Sequence, residues 1–95
     1  MYGIVRVKQF ENSFRKLKKS GLFKPSVAKD LEILIDLLAE GKTLPVSYTD
    51  HQLKGELKQY RECHIRGDLL LVYERRHTQL ILILVDIGTH SYLFG

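Results

Sequence analysis

The residues best suited to chemistry are four histidines, His51, His64, His77 and His90, with acids and cations close by in sequence. Imidazole moves protons near neutral pH, so such a set points first to general acid–base catalysis. Glu62 and His64 stand two apart, with Arg61 and Arg66 on either side. Side chains alternate across a strand. If Tyr60 to Arg66 is a strand, Cys63 and Ile65 share one face, and Tyr60, Glu62, His64 and Arg66 share the other. An acid, a histidine and a cation then meet on one polar face, an arrangement that any solvated face of an antiparallel sheet also produces. His77, beside Arg75 and Arg76, reads as a turn residue in solvent.

Other chemistries find less support. Cys63 and His64 are adjacent and so point to opposite faces, and no C-x-x-C or H-x-x-x-H pair sets a ligand geometry, so no metal is assigned. Cys63 is expected to face the core, where thiols are inert. No glycine-rich phosphate loop is present and no cofactor is expected.

The elements that must position these residues follow from periodicity. Residues 1–95 are expected to form one domain. Met1 to Val7 reads as a short strand. A helix over Glu11 to Ser20 has Phe10, Phe14 and Leu17 as its inner stripe and Gly21 just past its end. Pro25 and Ser26 open a second helix, with Val27, Leu31, Leu34 and Leu38 along one face, Ile35 widening the stripe and Gly41 ending it. Thr43 to Gly55 reads as a loop holding at most a short strand. Three strands follow, Tyr60 to Arg66, Leu69 to Arg75 and Gln79 to Asp86, joined by turns at Gly67-Asp68 and Arg76-His77-Thr78. The order β-α-α-β-β-β predicts an α+β fold with two helices on one face of a small antiparallel sheet. The last two strands are apolar on both faces, so loops, the C-terminal tail or another chain must cover the second face.

Net charge is +4, with 15 Lys and Arg against 11 Asp and Glu, which favours a polyanionic partner such as nucleic acid. Arg15, Lys16, Lys18, Lys19 and Lys24 form a basic run on the outer side of the first helix, either a solvated face or a platform for RNA. The longest apolar run, Leu80 to Val85, is strand-sized, so no membrane span is expected. One cysteine and no export-like start make a reducing cytoplasm the expected location.

Three blocks carry a family resemblance. Tyr48-Thr49-Asp50-His51-Gln52-Leu53-Lys54-Gly55 is similar to a Y-x-D-H-x-L-x-G segment. Arg61-Glu62-Cys63-His64-Ile65 with Asp68-Leu69-Leu70-Leu71-Val72-Tyr73 resembles a strand pair of the same family. Gly88-Thr89-His90-Ser91-Tyr92-Leu93-Phe94 resembles its G-[ST]-H-[SA]-x-L-F ending. The family is that of the YafQ-type toxins, within the RelE/ParE superfamily. The resemblance implies a RelE-like fold and ribosome-dependent, metal-independent cleavage of messenger RNA that inhibits translation. It also implies neutralisation by a DinJ-type antitoxin, through which the complex binds its own operator DNA. The matching active-site positions are His51, Glu62, His64, Asp68 and His90, with Phe94 set to stack on a base.

One position departs from that pattern. Relatives carry arginine two residues before the glycine of the ending, where this chain has Asp86. A cation there would balance charge on the phosphate. Lys54, Arg61, Arg66 and Arg75 are candidates to replace it in binding the substrate; otherwise catalysis is weakened. The alternatives are a ParE-like toxin acting on DNA gyrase, and a homologue that retains only antitoxin binding.

Overall fold

In the computed structural model, which describes residues 1–95, strand β1 (Gly3–Arg6) leads into helices α1 (Lys8–Lys19) and α2 (Pro25–Ala39). A 3-10 turn (Val46–Tyr48), strand β2 (His51–Gln52) and a second 3-10 turn (Gly55–Leu57) follow. Strands β3 (Arg61–Arg66), β4 (Leu69–Arg76) and β5 (Ile81–Thr89) and a short helix α3 (His90–Phe94) complete the chain. No helix is long and apolar enough to cross a membrane.

The strands form one sheet in the order β1-β5-β4-β3-β2. β2 to β5 pair antiparallel, and the β3–β4 and β4–β5 pairings were expected from their short connections. β1 instead runs parallel to β5, pairing Gly3 with Ile81 and Arg6 with Leu84, so the sheet is mixed and not wholly antiparallel. No hairpin joins these two strands, and the α1–α2 excursion frees β1 to enter the far edge in either direction.

α2 follows its periodicity: Val27, Leu31, Leu34 and Leu38 are buried, Pro25 stands in the first turn, and Gly41 takes φ +76° just beyond the end. α1 differs in two respects. It begins three residues before Glu11, at Lys8, with no side-chain cap to mark the start. Its buried residues are Phe10, Ser13 and Leu17. Phe14, expected on the inner stripe, is displaced to the margin, stacked on Phe10 at 5.6 Å and edge-on to Phe23 at 5.0 Å. Helical geometry puts residues 13 and 14 on either side of the Phe10–Leu17 line. Ser13 takes the inward side, where its hydroxyl lies 3.0 Å from that of Tyr92.

Both helices cover the sheet face that carries Cys63, Ile65, Leu69, Leu71, Tyr73, Leu82, Leu84 and Ile87, all in the core. Two bulges decide which side chains reach that face. On β5, Val72 pairs with Asp86 but Tyr73 pairs with Leu84, which leaves Val85 unpaired. Strict alternation from Leu84 would put Asp86 and Gly88 in the core and Ile87 outside. The extra residue reverses the phase, so Ile87 is fully buried and Asp86 emerges on the other face. On β3, His64 pairs with Leu70 and Arg66 with Leu69. Arg66 therefore turns toward α2 and does not share the face of Glu62 and His64, contrary to expectation.

On the second face Leu70 and Val72 are buried. The chain covers this face in part itself. Leu53, Leu57 and Tyr60 from the 53–60 loop and Leu93 and Phe94 from α3 surround Val72, Val85 and Asp86, leaving a depression of about 360 Å³.

Candidate active site

Cross-strand register assembles the polar groups. His51 on β2 lies opposite Glu62 on β3. Glu62 lies opposite Val72, and Val72 opposite Asp86, so an acid, a valine and an acid form one row across the sheet. The next row is His64, Leu70 and Gly88. Asp68 precedes Leu69, whose partner is Thr89, and His90 follows Thr89. Asp68 and His90 therefore stand at the same end of the sheet, both exposed.

Two of the imidazoles are oriented alike. His51 Nδ1 lies 2.9 Å from the Thr49 carbonyl, and His64 Nδ1 lies 2.9 Å from the Gly67 carbonyl. A carbonyl only accepts, so in each ring Nδ1 carries the proton and Nε2 is the basic nitrogen. Thr49 reaches His51 from a left-handed conformation, φ 50°. Such conformations are uncommon for a β-branched residue and persist only where the surroundings enforce them.

Beyond that shared orientation, the two sites differ. His51 Nε2 faces the Glu62 carboxylate at 3.6 Å, an ion-pair distance once the ring is protonated. Glu62 is buried, only 6% exposed, and a carboxylate so enclosed favours a cation beside it. His64 Nε2 has no protein partner. His90 is free of hydrogen bonds, and its ring lies 5.5 Å from that of Phe94. His77 lies apart, in the β4–β5 turn, hydrogen-bonded to Tyr2.

The candidate cations separate clearly. Arg61 donates from Nε and Nη2 to Asp50 at 3.1 and 2.8 Å, and this bond holds its guanidinium above the ordinary pKa. Arg66 is held by Asp30 at 2.7 Å and Ser26 at 3.1 Å. Arg75 donates to the carbonyls of Leu38 and Lys42 at the end of α2. All three are engaged with the helical side or with the loop that precedes β2. Lys54 has no ion-pair partner. Asp86 accepts from Gln9 at 2.6 Å and from the Ile87 N–H at 2.9 Å, so the position where a cation was sought holds a satisfied carboxylate.

A part-buried cluster beneath His51 escaped the sequence reading. Asp50 accepts from Arg61 and from the hydroxyl of the fully buried Tyr73, and so ties the two-residue strand β2 to β3 and β4. The signal was the Asp50-His51 pair itself, which was read only for its histidine. Burial, then the bond to Asp50, pushes the Tyr73 phenol above its ordinary range, and burial does the same to the Cys63 thiol. Cys63 is wholly enclosed and unfit as a nucleophile, as expected.

A family model described as a bacterial toxin of type II toxin–antitoxin systems, YafQ, matches residues 2–95, which sets the class of this small α+β protein. An Escherichia coli strain B protein named mRNA interferase toxin YafQ is 32% identical over 88 residues, 92% of this chain and 94% of that one. Among solved structures, a metal-bound toxin from Helicobacter pylori is 41% identical with a TM-score of 0.85, covering 99% of this chain and 100% of that one. The E. coli DinJ–YafQ complex matches at 30% identity and a TM-score of 0.84, covering all of both chains. The chain belongs to the YafQ toxin family.

Proposed function

We propose that this protein is an endoribonuclease toxin that cuts messenger RNA on the ribosome, inhibits translation, and is neutralised by a DinJ-type antitoxin. The family and the names of the relatives support the activity class. The crystal complex of the E. coli relative with DinJ supports the partner. Operator binding by the complex belongs to the antitoxin on this reading.

The observation that carries the chemistry is the pair of carbonyl-anchored imidazoles. With Nδ1 held by Gly67, His64 presents an open Nε2 as general base. It takes the proton of the ribose 2′-OH as that oxygen attacks the adjacent phosphorus. The P–O5′ bond breaks, and His90 as imidazolium protonates the departing 5′ oxygen. The products are a 2′,3′-cyclic phosphate and a 5′-hydroxyl. His51, as an imidazolium balanced by Glu62, and Lys54 stabilise charge on the phosphate. Asp68, at the same end of the sheet as His90, orients its ring, and Phe94 beside His90 stacks on a base.

Expression of wild type and His90→Ala in bacteria without antitoxin tests this reading. Growth arrest with in-frame mRNA cuts ending in cyclic or 3′-phosphate, both lost in the variant, is the expected result. Ends bearing 3′-hydroxyls would overturn the mechanism, and arrest with intact mRNA would overturn the activity. The Asp86–Gln9 bond favours a second reading, a catalytically weakened toxin that keeps antitoxin binding. That reading predicts antitoxin capture with no arrest.

A further inference from the structure

We infer that Tyr92 is a positioning residue: its ring and hydroxyl latch the C-terminal helix onto α1 and β5, and so place His90 and Phe94. The inference rests on the reading of His90 and Phe94 as working residues, and adds the device that holds them.

α3 has five residues, too few to be stable in water by itself. Its N-terminus is tied locally, where the Tyr92 N–H donates to Thr89 Oγ1 at 3.2 Å. That bond shapes the turn but fastens it to nothing else. Leu93 and Phe94 rest against Val72 and Val85 on one side of the sheet, and the Tyr92 side chain makes the attachment on the α1 side. Its hydroxyl lies 3.0 Å from Ser13 Oγ on α1. Ser13 is 4% exposed and has no other hydrogen-bond partner, so an apolar residue would be expected there unless the tail were docked. The Lys16 ammonium sits 5.9 Å from the centre of the ring.

Gly88 leaves room for this position of the ring. A Cβ at Gly88 would lie 2.5 Å from Tyr92 Cδ2, closer than real Cβ contacts allow, while Gly88 has no positive φ that would itself require glycine. The ring occupies the space that a side chain at Gly88 would need. Tyr92 lies two residues from both His90 and Phe94, and fixing it orients both rings.

The test compares purified wild type with Tyr92→Phe, Ser13→Ala and the double variant, and includes His90→Ala as a control. Amide exchange across residues 90–95 reports tail docking without reference to activity. Loss of one hydrogen bond is expected to speed exchange there about 2- to 13-fold, the range equivalent to 0.5–1.5 kcal/mol. Cleavage of messenger RNA on added ribosomes should lose kcat by a similar factor with KM within about twofold, since a dislodged catalytic ring weakens the transition state more than the bound substrate. The double variant should behave like either single one, because both remove the same bond. Unchanged exchange and kcat, or additive effects in the double variant, would overturn the latch. If His90→Ala cuts as wild type does while exchange responds as expected, the latch stands and the assignment of His90 falls.

Discussion

Replacing Tyr73 by phenylalanine isolates the part-buried cluster that anchors the His51 strand. The hydroxyl is enclosed and donates to Asp50, which also holds Arg61. Phenylalanine keeps the ring volume and removes only that donor. A hydrogen bond to a charged group is worth about 1.5–3 kcal/mol. For a domain of this size each kcal/mol moves Tm by about 4–8 °C, so the expected fall is roughly 6–24 °C. The alkaline limb of stability gives a second reading. Burial and the Asp50 bond raise the Tyr73 phenol above its ordinary 10.0, and burial raises the Cys63 thiol above its ordinary 9.0. The folded protein therefore keeps both protons where the unfolded chain releases them. Fewer protons bound when unfolded means that stability falls as pH rises, by about 1.4 kcal/mol per pH unit for each group. Wild type should lose about 1.4 kcal/mol per unit from Cys63 above its ordinary value, and about 2.8 once Tyr73 joins it. Tyr73→Phe should retain the first slope and lack the second. Urea titrations at half-unit steps from pH 8 to 11 measure both. Equal slopes above pH 10, or a Tm within about 2 °C of wild type, would refute the argument.

Two other substitutions probe different parts of the structure. Lys54→Ala should slow RNA cleavage about 100-fold if Lys54 supplies the missing phosphate cation, and Asp86→Arg in that background should recover much of the loss. Single-turnover rates decide, and a Lys54→Ala protein that cuts at the wild-type rate rejects the assignment. Leu80 is 55% exposed and sits at φ 53°, a left-handed conformation that costs an L-residue roughly 1–2 kcal/mol. Leu80→Gly should raise stability by about 0.5–1 kcal/mol after the greater freedom of unfolded glycine is subtracted, read from the urea midpoint.

The α2 stripe and the β3–β4 strand pair were legible in the residues because their signals are local. Helical spacing selected Val27, Leu31, Leu34 and Leu38, and alternation selected Cys63 and Ile65 for the core. The α1 start was misplaced for want of a capping signal, and Phe14, read as part of the inner stripe, packs on the core from its margin. Within the candidate site, alternation found Glu62 and His64 on one face. It could not find Asp50 beneath His51, because Arg61 and Tyr73 come from two other strands.

The amino-acid sequence by itself determined which chemistry is available: three histidines with acids beside them, a basic surplus, and a core assigned by period 3.6 and period 2. Tertiary structure decided where that chemistry points. One unpaired residue at Val85 reverses the phase of β5, buries Ile87 and turns Asp86 toward the polar face. A bulge after His64 hands Arg66 to Asp30. Two backbone carbonyls choose the basic nitrogen of His51 and His64. Each of these depends on a partner brought in by the fold, and alternation along a single strand carries no record of it.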